Sequence, residues 1–399
     1  MSDLIQTSRR HFLRASAGAL AAAGMANHSL PAPAIAESED AANNGPRGRH
    51  CVGAVAYGYQ YSIGLFSYKD RPGERFDAVQ FLEANHAAGG EVAQLYVTMI
   101  RDLDQQGLKR IRRRAEELDV LLEVHGGGAL GKWANFEDTM RRAAELGCKV
   151  VGCTFGMLMR PGKIATLEAW DEHTRACESR LRELARLAKS LGLTIGVENH
   201  LDFTVEELHD LIRSVDSPNV GVMFDVGNTI GTLDDPVEAA DLLGPYTVAT
   251  HYKDFAITET PSGFTFCMVP LGCGSLQLPA ITRQLLKHAD PKMGMSIEMM
   301  NGQHFQVNWL KDGFWVPFRN RSAAQVAATL RHIRGKEIDR QEYKLVEEID
   351  MLAHEEHMKL EQARMTRCIA YLKSVLDQKG IEHPECSKGE LPCDVVCLS

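Results

Sequence analysis

The chain has 399 residues, with 44 Lys+Arg against 53 Asp+Glu, a formal net charge of −9, and is 44% hydrophobic. This is the composition of an ordinary globular protein and excludes a disordered, collagen-like or multi-span membrane chain. The acidic balance excludes nucleic acid as the main partner, because phosphate binding requires clustered Lys and Arg. Ten cysteines are too few for a disulfide-stapled miniprotein.

In chain order, residues 1–36 are expected to form an export signal. Arg9 and Arg10 precede an Ala- and Gly-rich apolar stretch from Ala15 to Met25, and Ala34-Ile35-Ala36 forms a small-x-small cleavage pattern. With Phe12 and Leu13 beside them, the paired arginines resemble the twin-arginine type. The stretch is too short to span a bilayer. The mature protein is therefore expected to be periplasmic or extracellular, with no membrane segment. Removing the segment deepens the net charge from −9 to −11. The twin-arginine route carries folded proteins, often with a metal loaded, and suits a disulfide-dependent fold poorly. Cys148, Cys153, Cys177 and Cys267 are thus expected as small core residues. Cys386, Cys393 and Cys397 lack Cys-x-x-Cys spacing and predict no zinc site. Residues 37–49 read as a linker.

Eight short apolar runs then read as buried strands: Cys51–Tyr57, Val92–Thr98, Val120–His125, Lys149–Phe155, Thr194–Glu198, Val220–Asp225, Thr247–His251 and Met295–Met299. Helical patterns separate them at Phe76–Ala88, Leu108–Leu118, Phe136–Leu146, Trp170–Leu191, Val205–Ile212, Pro236–Leu243, Leu278–Leu286 and Ala323–Ile333. Thr204 and Glu207 have capping-box spacing. Such alternation predicts an α/β protein with a parallel sheet, and its length over residues 50–335 fits a (β/α)8 TIM barrel. An open dinucleotide-binding sheet would place a Gly-rich loop after the first strand, where Gly58-Tyr59-Gln60-Tyr61 stands instead. Residues 336–399 are expected as a C-terminal helical extension and tail. Its stripe of Leu345, Ile349, Leu352, Leu372 and Val375 would pack on the barrel, with a dimerisation arm, and hence a homo-oligomer, as the alternative.

Chemistry in such a barrel lies at the C-terminal ends of the strands. The fifth to eighth strands end on Glu198, Asp225, His251 and Glu298 in turn. Carboxylates buried together repel one another unless paired or metal-bound. The donor set suits one divalent ion, with Mn²⁺ expected and Co²⁺, Mg²⁺ or Zn²⁺ as alternatives.

The runs Gly196-Val197-Glu198-Asn199-His200, Phe224-Asp225-Val226-Gly227-Asn228, His251-Tyr252-Lys253-Asp254 and Ile297-Glu298-Met299 resemble those of the xylose isomerase-like TIM-barrel superfamily, over roughly residues 50–335. Pro270-Leu271-Gly272-Cys273-Gly274 is similar to a stretch of its sugar isomerase/epimerase branch. The resemblance implies that Glu198, Asp225, His251 and Glu298 ligate one metal, and that Glu198 and Glu298 double as catalytic acid and base. Asn228 stands where many ketose epimerases carry a substrate-touching His. Gly-Cys-Gly replaces a commoner Gly-Glu-Gly or Gly-Arg-Gly.

A chelated carbonyl is polarised and its neighbouring C–H acidified, so Glu198 and Glu298 could remove and return a proton through a metal-bound enediolate. The expected function is a sugar isomerase or epimerase acting on a small keto-sugar or related polyol. A lyase or dehydratase on keto-sugars or glycosides is the alternative, and a non-catalytic sugar-binding protein the rival from another class. Candidate substrate contacts are His125, His200, Asn228, Tyr57 and Trp309, with Lys253 and Asp254 as supports for His251. Arg160 could bind an anion or form a surface salt bridge. The aromatic-rich loop Phe305, Trp309, Phe314, Trp315 and Phe318 could be a sugar-stacking lid or a cover for the barrel edge.

Overall fold

A computed structural model describes residues 50–65, 68–69, 73–128, 133–155, 160–162, 164–300, 304–319, 321–333 and 352–377. The export signal, the linker, Leu345, Ile349 and the tail cysteines lie outside the described residues. In chain order the strands are β1 (Cys51–Val55), β2 (Val92–Tyr96), β3 (Leu121–Gly128), β4 (Val150–Thr154), β5 (Thr194–Glu198), β6 (Val220–Asp225), β7 (Thr247–Tyr252), β8 (Asp254–Thr260), β9 (Gly263–Val269), β10 (Gly294–Ile297) and β11 (His304–Val307). The helices are α1 (Gln60–Ile63), α2 (Ala78–Ala87), α3 (Gln105–Leu118), α4 (Trp133–Glu145), α5 (Leu167–Leu191), α6 (Val205–Val215), α7 (Pro236–Leu243), α8 (Leu278–Leu285), α9 (Asp312–Trp315), α10 (Ala323–Ile333) and α11 (His354–Asp377).

Strands β1 to β7 and β10 close into a barrel of eight parallel strands. Each expected strand is present, shifted at its ends by a few residues at most. Caps set several helix boundaries. Asp77 forms a capping box with Gln80, so α2 starts after Phe76. Asp104 accepts from the Gly107 N–H and starts α3 before the expected Leu108. Thr204 and Glu207 make both hydrogen bonds of the expected box. Cys148, Cys153, Cys177 and Cys267 are buried free thiols. No helix of the described residues is long and apolar enough to cross a membrane.

Two features differ from the sequence reading. The first is the helix between β10 and β1, expected to be Ala323–Ile333. That segment, α10, instead lies over the loops entering α6 and α7. There Gln325 pairs with Glu206 and His332 with Asp235, and just ahead of the helix Arg321 pairs with Asp234. The helix touching both β1 and β10 is α11, which also meets α1 and α8. Its inward face carries His357, Glu361, Met365, Cys368, Ile369, Leu372 and Val375, so the packing expectation for this stripe describes Leu372 and Val375. The second is an antiparallel sheet of order β11–β9–β8, which the sequence reading did not include. A turn through Pro261 and Ser262 joins β8 to β9, and Gly263 leaves it at φ 153, where a side chain would strike the Val307 carbonyl.

Helix α11 also organises the loop after β1. The Glu361 carboxylate accepts from the Tyr61 N–H at 2.8 Å, the Ser62 N–H at 2.9 Å and the Ser62 hydroxyl at 2.7 Å. These are first-turn groups of α1 that have no partner inside a helix. Glu361→Ala orphans three donors, each costing about 1–3 kcal/mol when buried, so urea denaturation should show a loss of about 3 kcal/mol.

Candidate metal centre

Glu198, Asp225, His251 and Glu298 come from four neighbouring positions of the ring, β5, β6, β7 and the residue after β10. Each offers one donor atom within 4.8 Å of the others, the one such group found among the described residues. All four are at most 5% exposed. Strand order alone explains the convergence, because parallel strands bring their C-terminal ends to a single mouth.

The backbone supports the cluster. Asp225 Oδ1 accepts from the Gly227 and Asn228 N–H groups at 2.9 and 3.0 Å, which turns Oδ2 inward. Asn199 clips β5 to β6 through both Asp225 main-chain groups, at 2.8 and 2.7 Å. His251 Nδ1 lies 3.5 Å from Glu198 Oε1, 3.5 Å from Glu298 Oε2 and 3.9 Å from Asp225 Oδ2. Asp225 Oδ2, His251 Nδ1 and Glu298 Oε2 have no partner in hydrogen-bond geometry, although Lys253 Nζ is 2.5 Å from both oxygens. Buried donors left in this state fit a small divalent cation. The three carboxylates, that ion and the Lys253 ammonium would be neutral together.

The electrostatics are strongly coupled. Burial pushes the Asp225 carboxyl up to about 7, with Glu298 and Glu198 adding to the rise and Lys253 opposing it. Burial opposes ionisation of Glu298 as well, but Lys253 and His251 prevail and hold it at about 2. Burial likewise favours neutral His251, yet Glu198 and Glu298 raise it to about 10. The contact between Lys253 and Asp225 favours both charged forms, so the upward push on Asp225 comes from desolvation and the other carboxylates.

The expected substrate contacts divide. His125 on β3 accepts the Gly127 N–H at Nδ1, which leaves its proton on Nε2, 3.1 Å from Glu198 Oε2. Half-buried His200 keeps Nδ1 without a hydrogen-bond partner, under the charges of Glu198 and Glu298. The Tyr57 ring lies 6.1 Å from that of His125 and 5.0 Å from that of Tyr96. Asn228 bridges within the cluster, donating to Glu198 Oε1 at 3.2 Å and accepting from Lys253 at 3.4 Å. Trp309 packs at the turn of the β8–β9 hairpin beside Gly263, about 20 Å of strand beyond Asp254.

Two residues have a different role from the one expected. Asp254 does not hold His251; its carboxylate accepts from the N–H groups of Phe255, Gly272, Gly274 and Leu276, at 2.9 to 3.1 Å, and shapes the Pro270–Leu276 loop. The reason is its place as the first residue of β8, which leaves the barrel. Arg160 makes no surface salt bridge. It is 4% exposed, pairs with Glu207, and is sandwiched 3.7 Å from the Trp170 ring and 4.3 Å from Phe318. In the aromatic loop, Phe318 stacks on Phe314 and Phe305 on Phe266, which is the covering arrangement.

Sequence reasoning passed over Gln94, Tyr96 and Glu123. Their signal was present: a polar side chain inside an apolar strand, with Glu123 two residues before His125 on the same face.

The sequence profile of the family described as xylose isomerase-like TIM barrel matches residues 76–333. The chain is 25% identical over 203 residues to 3-oxo-isoapionate decarboxylase of Pectobacterium atrosepticum, covering 50% of this chain and 70% of that protein. It is 26% identical over 137 residues to the uncharacterized protein YihM of Escherichia coli K12, spanning 33% of this chain and 42% of YihM. Among solved structures, D-psicose 3-epimerase with D-tagatose from Clostridium cellulolyticum H10 aligns with a TM-score of 0.54 at 14% identity, over 82% of this chain and all of the other. D-allulose 3-epimerase from Methylomonas sp. gives 0.51 at 14% identity, over 82% and 99%. At these identities the two structures show the shared fold alone.

Arg160→Leu should separate scaffold from site. It removes one partner of a largely buried pair and is expected to cost about 3 kcal/mol in chemical denaturation. The number of Zn²⁺ ions taken up per chain by added Zn²⁺, read by elemental analysis, should match that of the wild type.

Proposed function

Because the chain belongs to the xylose isomerase-like TIM barrel family, we propose that it is a divalent-metal-dependent isomerase or epimerase that moves a proton beside the carbonyl of a keto-sugar or related polyol. The observation that carries this reading is the convergence of Glu198, Asp225, His251 and Glu298, with inward donor atoms that lack a partner in hydrogen-bond geometry. These four residues would hold the ion, with Mn²⁺ favoured by the oxygen-rich donor set and Co²⁺, Mg²⁺ or Zn²⁺ as alternatives. When bound, the ion would supply positive charge to a substrate carbonyl oxygen and so acidify the neighbouring C–H.

The remaining work falls to side chains. Glu198 and Glu298 stand at the two ends of the four-strand arc, so one can take a proton from carbon while the other returns it. Return to the opposite face gives epimerisation, and return to the adjacent carbon gives isomerisation. Lys253, within 2.5 Å of Glu298, keeps that carboxylate ionised and ready as the base. His125 faces Glu198 with an N–H and steadies its charged form. His200, whose buried Nδ1 lacks a hydrogen-bond partner, is the candidate to meet a sugar hydroxyl, and Tyr57 with Tyr96 packs beside His125. A lyase is the second reading, supported by the decarboxylase relative. In that case the carbanion-like electron pair would come from loss of a carbon substituent rather than a proton. From Arg9 and Arg10 we also propose that the protein is exported and works in the periplasm or outside the cell. Cell fractionation of the wild type and an Arg9→Lys/Arg10→Lys variant tests this.

The metal-loaded protein, screened against keto-sugars in D₂O by NMR, should place deuterium on the carbon beside the carbonyl. Glu298→Gln should slow the exchange by roughly 10²–10⁴-fold with metal still bound. Release of CO₂, with one deuterium in the product on the carbon that carried the carboxylate and none in the recovered substrate, would move the assignment to the lyase reading. A variant as fast as wild type would remove Glu298 from the proton transfer.

Metal affinity should depend on pH with a defined sign. The metal-free cluster raises His251 to about 10, so at neutral pH an ion must displace the imidazole proton. Affinity is therefore expected to climb by close to tenfold per unit between about pH 7 and 9. Calorimetry in buffers of different ionisation enthalpy should register the released proton.

A further inference from the structure

Beneath the four-residue cluster runs a second polar chain that the proposed chemistry does not use. Gln94 on β2 and Glu123 on β3 are register partners, 0% and 2% exposed. Gln94 Nε2 donates to Glu123 Oε2 at 2.9 Å, and the Ser296 hydroxyl on β10 donates to the same oxygen at 3.1 Å. The other end of the amide, Gln94 Oε1, lies 2.7 Å from His251 Nε2. Space for this carboxylate exists because residue 294 is Gly, since a Cβ there would come within 2.5 Å of Glu123 Oε1. A glutamate in the interior of a barrel costs several kcal/mol, and leucine would fill the volume without that cost.

The chain has a direction. A primary amide has one donor end and one acceptor end. With Nε2 committed to a carboxylate, the acceptor end faces His251, and an acceptor can be met only by an N–H. In the neutral imidazole that a metal requires, the remaining proton therefore sits on Nε2, and Nδ1 is the nitrogen freed toward Glu198, Asp225 and Glu298. Reversing the amide would require Glu123 to donate and would move the imidazole proton to Nδ1, the atom aimed at the cluster.

We infer that Gln94 and Glu123 are positioning residues that set the tautomer and ring orientation of His251 for ligation through Nδ1, with Ser296 holding Glu123. The inference rests on the metal-site reading above. It extends that site by two strands, so that every barrel strand from β5 to β10, together with β2 and β3, contributes to one hydrogen-bonded unit.

The test uses the full chain, stripped of metal, with Zn²⁺ alone as the probe. Affinity is read by competition with a chromophoric chelator, and the His251 imidazole by ¹⁵N NMR of the Zn²⁺-loaded protein. The wild type should show a protonated, slowly exchanging Nε2 and a metal-shifted Nδ1. Gln94→Met keeps the volume but removes the acceptor, and should weaken Zn²⁺ binding by roughly 10–100-fold. Glu123→Gln lets the amide at 94 face either way and should weaken binding in the same range. The paired exchange Gln94→Glu with Glu123→Gln keeps charge and volume and again presents an acceptor to Nε2–H. It should restore affinity to within about threefold of wild type, a rescue that loss of packing would not produce. Should Gln94→Met fail to fold, the paired exchange decides.

Wild-type affinity and an unchanged imidazole spectrum in Gln94→Met would overturn the inference and leave the metal reading standing. A folded paired exchange that binds as weakly as Gln94→Met or Glu123→Gln would do the same. A wild type that binds no Zn²⁺ removes the metal reading, and the positioning role with it.

Discussion

Three carboxylates, Glu198, Asp225 and Glu298, end neighbouring strands at one mouth of the barrel and are at most 5% exposed. Side by side in a medium far less polarisable than water, they repel one another and lose hydration worth several kcal/mol each. Much of the local structure answers that constraint. Backbone N–H groups of Gly227 and Asn228 take one oxygen of Asp225, Asn228 and His125 attend Glu198, and Lys253 sits against both Asp225 and Glu298. The inward donors that still lack aligned partners mark the place where a cation completes the balance.

The mouth is built by segments distant from one another in sequence. Asp254, the first residue of β8, gathers four backbone N–H groups and fixes the Pro270–Leu276 loop. Glu361, about a hundred residues later, does the same for the loop after β1. In both cases one buried carboxylate replaces the regular hydrogen bonding that a loop lacks, so a buried acid is a structural device here as well as a chemical one. Arg160 is the cationic counterpart, held between two aromatic rings and paired with the glutamate that caps α6.

Legibility in the sequence followed the range of the interactions. Strands of a parallel barrel are buried on both faces, so they read as short apolar runs, and each of the eight was visible. The cluster was visible too, because each of its members directly ends or follows such a run. Gln94 and Glu123 were not, since a single polar residue inside an apolar run is weak evidence until its neighbour across the sheet is known. The β8–β9 hairpin was not among the expected elements, although Pro261, Ser262 and Gly263 mark its turn.

The sequence by itself determined the alternation of strand and helix, the closure into a barrel and the identity of the four residues at the mouth. These depend on periodicity and on the polarity of strands, which are local. Only the tertiary structure decided which helix completes the ring, where Asp254 and Arg160 direct their charges, and which way the Gln94 amide faces. Those depend on pairings between residues tens to hundreds of positions apart. No local pattern encodes such pairings, because the free energy of each arises only once the barrel has excluded water from both partners.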